Sequence, residues 1–135
     1  MILLDSSFLV AYLNSLDENH ERAVEIAKRI DEGDYGVPAI TDYIFSEVVT
    51  VMLLRVRDVS KVASIGDQLL RAVQLIEVSR EAFDVAWRIF KEQEKPRFSF
   101  TDCTSIAVCK LHGIPKIATF DKDFRRVEGL TVIGL

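Results

Sequence analysis

The chain has 135 residues, 49% of them hydrophobic, with two cysteines and a formal net charge of −4. That length and apolar content fit one domain over residues 1–135, burying about two thirds of its unfolded surface. The acidic balance excludes a protein held on nucleic acid by its overall field, so any such contact must come from a local basic patch.

Met1-Ile2-Leu3-Leu4 is short and apolar enough for a buried strand, and Ser6 and Ser7 after Asp5 can cap a helix through Leu13. Ala23, Ile26, Ala27 and Ile30 repeat with helical spacing, which predicts an amphipathic helix from about Glu18 to Asp31 ended by Gly33. Tyr35-Gly36-Val37 reads as a short strand stopped by Pro38. Thr41 or Asp42 then caps a long helix to about Arg57, and a second runs from about Ser60 to Arg71. Val73–Val78 is the third predicted strand. Ser79 opens a helix whose Ala82, Phe83, Ala86, Ile89 and Phe90 share a face, and Pro96 excludes its continuation. Arg97-Phe98-Ser99-Phe100 reads as a loop, and Thr101 as the cap of a helix from Asp102 to Leu111 that Gly113 ends. Lys116–Phe120 and Leu130–Ile133 are the last two strands. Helices between strands imply right-handed crossovers and a three-layer α/β/α fold with a mostly parallel central sheet.

No apolar run approaches the roughly 20 residues that span a bilayer, and the first helix follows Met1 too soon for a signal peptide. A cytoplasmic protein without membrane contact is expected. Cys103 and Cys109 fall on different faces of one helix and belong to no metal-binding pair, so both read as reduced and structural.

Four acids stand out by position. Asp5 and Asp121 each follow a predicted strand, and ligands of open parallel sheets bind outside the carboxyl ends of strands where the strand order reverses. The two meet only if their strands are neighbours. Glu47 occupies the narrow polar strip, with Ser46, Thr50 and Arg57, of a helix otherwise carrying Ile44, Phe45, Val48, Val49, Met52, Leu53 and Val56. Val51 and Leu54 spread apolar surface further round that helix, so it is expected to be buried on more than one side, with the surplus forming a homodimer contact. Asp102 opens the last long helix. Each acid has an ordinary alternative: Asp5, Asp102 and Asp121 can cap or favour a helix start, and Glu47 can be a solvated side chain.

Taken together they predict a cation site. Two carboxylates 4 Å apart repel by about 4 kcal/mol at an effective dielectric of 20, so three or four in one place take up protons unless a cation joins them. All the candidate ligands are hard oxygens, which favours Mg²⁺ or Mn²⁺ over Zn²⁺. Such ions suit phosphodiester hydrolysis, where they activate water and neutralise charge on the reacting phosphate.

The segments Met1 to Leu13, Ser46-Glu47-Val48-Val49, Phe98 to Val108 around Asp102, and Ala118-Thr119-Phe120-Asp121-Lys122-Asp123-Phe124 resemble the PIN domain, particularly the VapC-type toxins of toxin–antitoxin pairs. The resemblance covers nearly the whole chain. It implies a Mg²⁺- or Mn²⁺-dependent ribonuclease, dimeric and inhibited by a small VapB-like antitoxin. By this likeness Asp5, Glu47, Asp102 and Asp121 are the metal ligands and catalytic acids, with Ser6 and Thr119 supporting them. Cys103 stands where the family often has a smaller residue. Asp123 is an additional acid that can supplement or replace Asp121. Most basic residues are solvated charges, with Arg97, Lys122 and Arg125 the candidates for holding RNA phosphates. His20 and His112 sit at helix ends and Trp87 at a helix edge, none in a catalytic pattern.

Two other readings differ in class. A nuclease-like chain can serve as an RNA-processing or partner-binding component without a toxin role. A phosphoryl-receiver module would also gather acids around Mg²⁺, but it needs an acceptor Asp after its third strand and a Lys after its last, and neither stands there.

Overall fold

The computed structural model describes residues 1–135. Five strands, β1 (Ile2–Leu4), β2 (Pro38–Thr41), β3 (Gln74–Ile76), β4 (Lys116–Ala118) and β5 (Thr131–Ile133), form one sheet in the order β3-β2-β1-β4-β5. Every pairing is parallel. Between them run α1 (Ser6–Leu13), α2 (His20–Asp31), α3 (Asp42–Val56), α4 (Val59–Ala72), α5 (Arg80–Lys91) and α6 (Phe100–His112). Successive residues of β1 point to opposite faces, yet Ile2, Leu3 and Leu4 are all buried, so helices cover the sheet on both sides. This is the expected three-layer α/β/α arrangement. The strand order differs from the 2-1-3-4-5 order of receiver domains, which sets that reading aside.

The order reverses at β1: the chain first builds outward through β2 and β3, then returns to lay β4 on the other side. Leu3 pairs with Ile117 and Leu4 with Ala118, and the Asp5 amide donates to the Ala118 carbonyl at 3.0 Å. The strands carrying Asp5 and Asp121 are therefore neighbours, and both residues leave the sheet at the reversal.

Several boundaries differ from the sequence reading. The second strand is Pro38–Thr41 and not Tyr35–Val37. Proline is tolerated as the first residue of a strand, the buried Ala39 and Ile40 provide the apolar content, and Gly36, with φ +83°, belongs to the turn before it. Helix α6 begins at Phe100, because Ser99 and not Thr101 is its N-cap. Thr41 and not Asp42 caps α3. Helix α2 begins at His20, after a turn over Asp17–Asn19.

The helix surrounded on all sides is α6, where Cys103 to Cys109 are buried without interruption. Helix α3 buries only the stripe Ile44, Val48 and Met52, leaving Leu53, Leu54 and Val56 exposed, Leu54 by 72%. Both cysteines are free thiols, pushed up by burial to about 11 for Cys103 and about 12 for Cys109, and so are protonated and unreactive. No helix is long and apolar enough to cross a membrane.

Candidate metal-binding active site

Asp5 sits at the N-cap position of α1, yet its carboxylate caps nothing. Instead Oδ2 accepts from the Thr119 hydroxyl at 2.7 Å and from the Ser7 hydroxyl at 2.9 Å. Oδ1 is buried without any hydrogen-bond partner. A buried unpaired carboxylate oxygen is costly, and only 2% of the residue is exposed. Burial raises its pKa despite the opposing bonds from Thr119 and Ser7, and the charge of Glu47 raises it further.

Thr119, the first residue beyond β4, ties the site together. Fully buried, it donates to Asp5 and accepts from the Asp121 amide at 3.0 Å. Ser7 lies 3.1 Å from the Thr119 hydroxyl and accepts from the Phe120 amide at 3.1 Å. Ser7 therefore does the supporting work expected of Ser6, whose side chain lines the cavity. A Thr119→Val protein keeps the shape but strips both bonds, so a stability loss of about 1 to 3 kcal/mol by urea unfolding is expected.

Asp102 and Asp121 each have one oxygen engaged locally. The Asp102 Oδ2 accepts from the Ser99 amide at 2.9 Å while the Ser99 hydroxyl accepts from the Asp102 amide, forming a capping box. The Asp121 Oδ1 accepts from the Asp123 amide at 2.9 Å, capping the 3₁₀ turn Lys122–Arg126. The ordinary capping roles are thus real for these two acids, and each keeps a second oxygen free. Burial lifts the Asp102 carboxyl to about 6, its bonds to Ser99 oppose the rise, and the charges of Asp5 and Asp121 add to it.

All four acids, Asp5, Glu47, Asp102 and Asp121, line one open cavity of about 420 Å³ with Ser6, Ser7, Asp17, Asn19, Arg55 and Ser99. Electrostatics link them: Glu47 acts on Asp5, and Asp5 and Asp121 act on Asp102. As they stand, no three acidic, histidine or cysteine side chains are close enough together to enclose an ion. Mg²⁺ does not require such an enclosure, because it commonly keeps several waters and takes only one or two carboxylates directly. An unpaired buried oxygen, a donor set made only of oxygens and mutually repelling carboxylates all fit a hydrated divalent cation.

Other expected residues lie elsewhere. Asp123 is outside the cavity and faces Arg97 at 3.6 Å and Arg126 at 3.7 Å. Arg97, Lys122 and Arg125 do not line the cavity either. The cation that does is Arg55, one of the basic residues expected to be solvated charges. Glu47, Val51 and Arg55 repeat at i, i+4 and i+8, a signal that they share one face of α3. Asp17 and Asn19, in the turn before α2, also line the cavity, and nothing local in the sequence marks that turn as facing a site.

A model described as the PIN domain matches residues 2–130. The 23S rRNA-specific endonuclease VapC20 of Mycobacterium tuberculosis is 29% identical over 124 residues, 92% of each chain. The crystal structure of that species' VapC20, described as a sarcin–ricin loop cleaving toxin, superposes with a TM-score of 0.80 at 27% identity over 95% of both chains. VapBC2 from Rickettsia felis, bound to a promoter DNA fragment, gives 0.72 at 17% identity over 98% of both chains. FitAcB from Neisseria gonorrhoeae gives 0.71 at 18% identity, over 98% of this chain and 96% of that one. With almost its full length matched and a sheet reversal that gathers the acids at one cavity, the chain belongs to the PIN-domain family.

Proposed function

We propose that the chain is a Mg²⁺- or Mn²⁺-dependent endoribonuclease, a single domain acting as the toxin of a toxin–antitoxin pair. The observation that carries this reading is the buried, half-unpaired Asp5 carboxylate facing three further acids across one open cavity. Asp5, Glu47, Asp102 and Asp121 would hold the cation, which supplies an activated water and neutralises charge on the phosphate. Thr119 and Ser7 orient Asp5, and Ser99 orients Asp102. RNA as the substrate is supported by the activity named for VapC20, and an antitoxin partner by the toxin–antitoxin complexes among the structural relatives. The direct test is cleavage of structured RNA with Mg²⁺ or Mn²⁺, its arrest by EDTA, and its loss in a folded Asp5→Asn protein.

Arg55 is exposed at the rim and is the only cation lining the cavity, so it holds a substrate phosphate in this reading. Arg55→Gln is expected to raise KM severalfold and to lower the salt slope of RNA binding by about one, the mark of one lost phosphate contact. An unchanged slope would remove Arg55 from the substrate path.

Exposed Leu53, Leu54 and Val56, followed by Val59 at 71%, support a homodimer built on the end of α3. Leu54→Glu is expected to sediment as a monomer where the unaltered chain sediments as a dimer. Cytoplasmic residence belongs to the same proposal and is checked by fractionation.

A further inference from the structure

Beside the acidic cavity lies a second cleft, of about 500 Å³, lined by Asp42, Tyr43, Ser46, Glu47, Thr50, Val51 and Thr101. The two share Glu47 and Val51 as a common wall. The elements that carry Glu47 and Asp102 into the first cavity also build the second. Tyr43, Ser46, Glu47, Thr50 and Val51 fall at i, i+3, i+4, i+7 and i+8 on one face of α3, and Thr101 immediately precedes Asp102. A strand whose phosphate reached the acids would have its neighbouring nucleotide at this cleft.

The lining selects the kind of group that fits. No Lys, Arg or His borders the cleft, and Glu47 and Asp42 make it unfavourable for a phosphate. Ser46 and Thr50 are exposed, and Tyr43 and Thr101 half-buried, so four hydroxyl-bearing side chains are available to a neutral polar ligand. Asp42 is already engaged, its Oδ1 accepting from the Val78 amide at 2.9 Å and the Tyr43 amide at 3.2 Å. The Tyr43 ring is braced edge-on by Phe100 at a centroid distance of 6.1 Å, and Phe100 itself packs against Phe83, Trp87 and Phe90. A braced aromatic ring beside hydroxyl and carboxylate acceptors suits an unstacked base and a ribose hydroxyl.

We infer that this cleft receives the unpaired ribonucleoside adjoining the scissile phosphate, with Tyr43 as its platform and Ser46, Thr50 and Thr101 reading its polar edge and 2′-hydroxyl. The inference rests on the nuclease reading and adds a specificity subsite to it. The cleft governs which loop nucleotide the enzyme accepts, while the acids govern bond breaking.

The test uses the full chain and a set of hairpin RNAs whose loop nucleotides are replaced one at a time by 2′-deoxy or abasic residues. Tyr43→Ala is expected to raise KM by about tenfold with kcat altered less than threefold, the effect of losing one stacked base. Thr50→Val is expected to shift the distribution of cleavage sites and to erase the penalty that a 2′-deoxy residue imposes on the unaltered enzyme. Wild-type KM and cleavage pattern in both variants, or a change confined to self-association or to binding of a protein partner, overturns the inference. If the unaltered chain cuts none of the RNAs, the nuclease reading fails separately. The cleft is then judged by fluorescence anisotropy with a labelled single-stranded oligoribonucleotide. Weaker binding in Tyr43→Ala and Thr50→Val sustains it, and equal affinity to the unaltered chain, or no binding by it, overturns it.

Discussion

Asp5→Asn is expected to lose RNA cleavage by a factor on the order of 10³ while melting at a higher temperature than the unaltered protein in metal-free buffer. Both halves follow from the same oxygens. The carboxamide oxygen can take the place of Oδ2 and accept from Thr119 and Ser7, so the local geometry is retained. The amide nitrogen replaces Oδ1, the buried oxygen without a partner, and the negative charge disappears. Burial and the nearby Glu47 both disfavour that charge in the folded chain, so its removal relieves a strain that the bonds from Thr119 and Ser7 offset only in part. Each kcal/mol relieved lifts the midpoint by about 3 to 6 °C in a domain of this size. Calorimetry in EDTA with parallel cleavage assays decides the matter. A lower melting temperature would mean that the fold depends on the charge, and undiminished cleavage would remove Asp5 from catalysis.

The pH dependence of the Asp102 contribution to stability is expected to reverse when a divalent cation is bound. Burial, with the charges of Asp5 and Asp121, pushes the Asp102 carboxyl of the folded chain up to about 6 from the ordinary aspartate value of 3.8. Between those two values the folded chain binds a proton that the unfolded chain has released, so without cation this group's contribution to stability grows as pH falls and is lost as pH rises through about 6. Bound cation displaces that proton, so its stabilisation grows as pH rises over the same interval. At about a hundredfold excess of Mn²⁺ over its Kd, a gain of about 2.7 kcal/mol is expected at pH 7.5, shrinking toward pH 5. Asp102→Asn retains an acceptor for the Ser99 amide and flattens both slopes, so the difference between the two proteins isolates the residue. Urea unfolding at pH 5 and 7.5, with Mn²⁺ and with EDTA, measures all four conditions. Equal Mn²⁺ stabilisation at both pH values would exclude Asp102 from the cation's surroundings.

Much of this was legible in the residues because strand ends and helix starts carry local signals. A short apolar run ending in an acid marked β1, and Pro115, Gly113 and the apolar Ile117-Ala118 pair marked β4. Strand order was not legible: whether Asp5 meets Asp121 depends on long-range pairing, and nothing local distinguishes one parallel neighbour from another. Pro38 misled because proline ends many strands but also begins some, and its missing N–H is harmless at the first position. Ser99 lay hidden between Phe98 and Phe100, aromatics that read as a loop until their packing against Phe124 and the α5 rings is seen. That Ser7 and not Ser6 bonds Asp5 depends on where α1 begins, since one residue rotates a side chain by about 100° around a helix. Long polar side chains such as Arg55 resisted reading because exposure and participation look alike in a sequence.

The bond from Thr119 to Asp5 joins residues 114 positions apart. A chain emerging from a ribosome therefore carries its first acid long before the wall that would complete the pocket has been made. Loop closure across such a span comes late, after local helices and the first parallel pairs have formed. Fragments released by premature termination before β4 would lack Thr119 and Asp121 altogether. Whatever chemistry the finished protein performs, its onset is tied to near-complete synthesis.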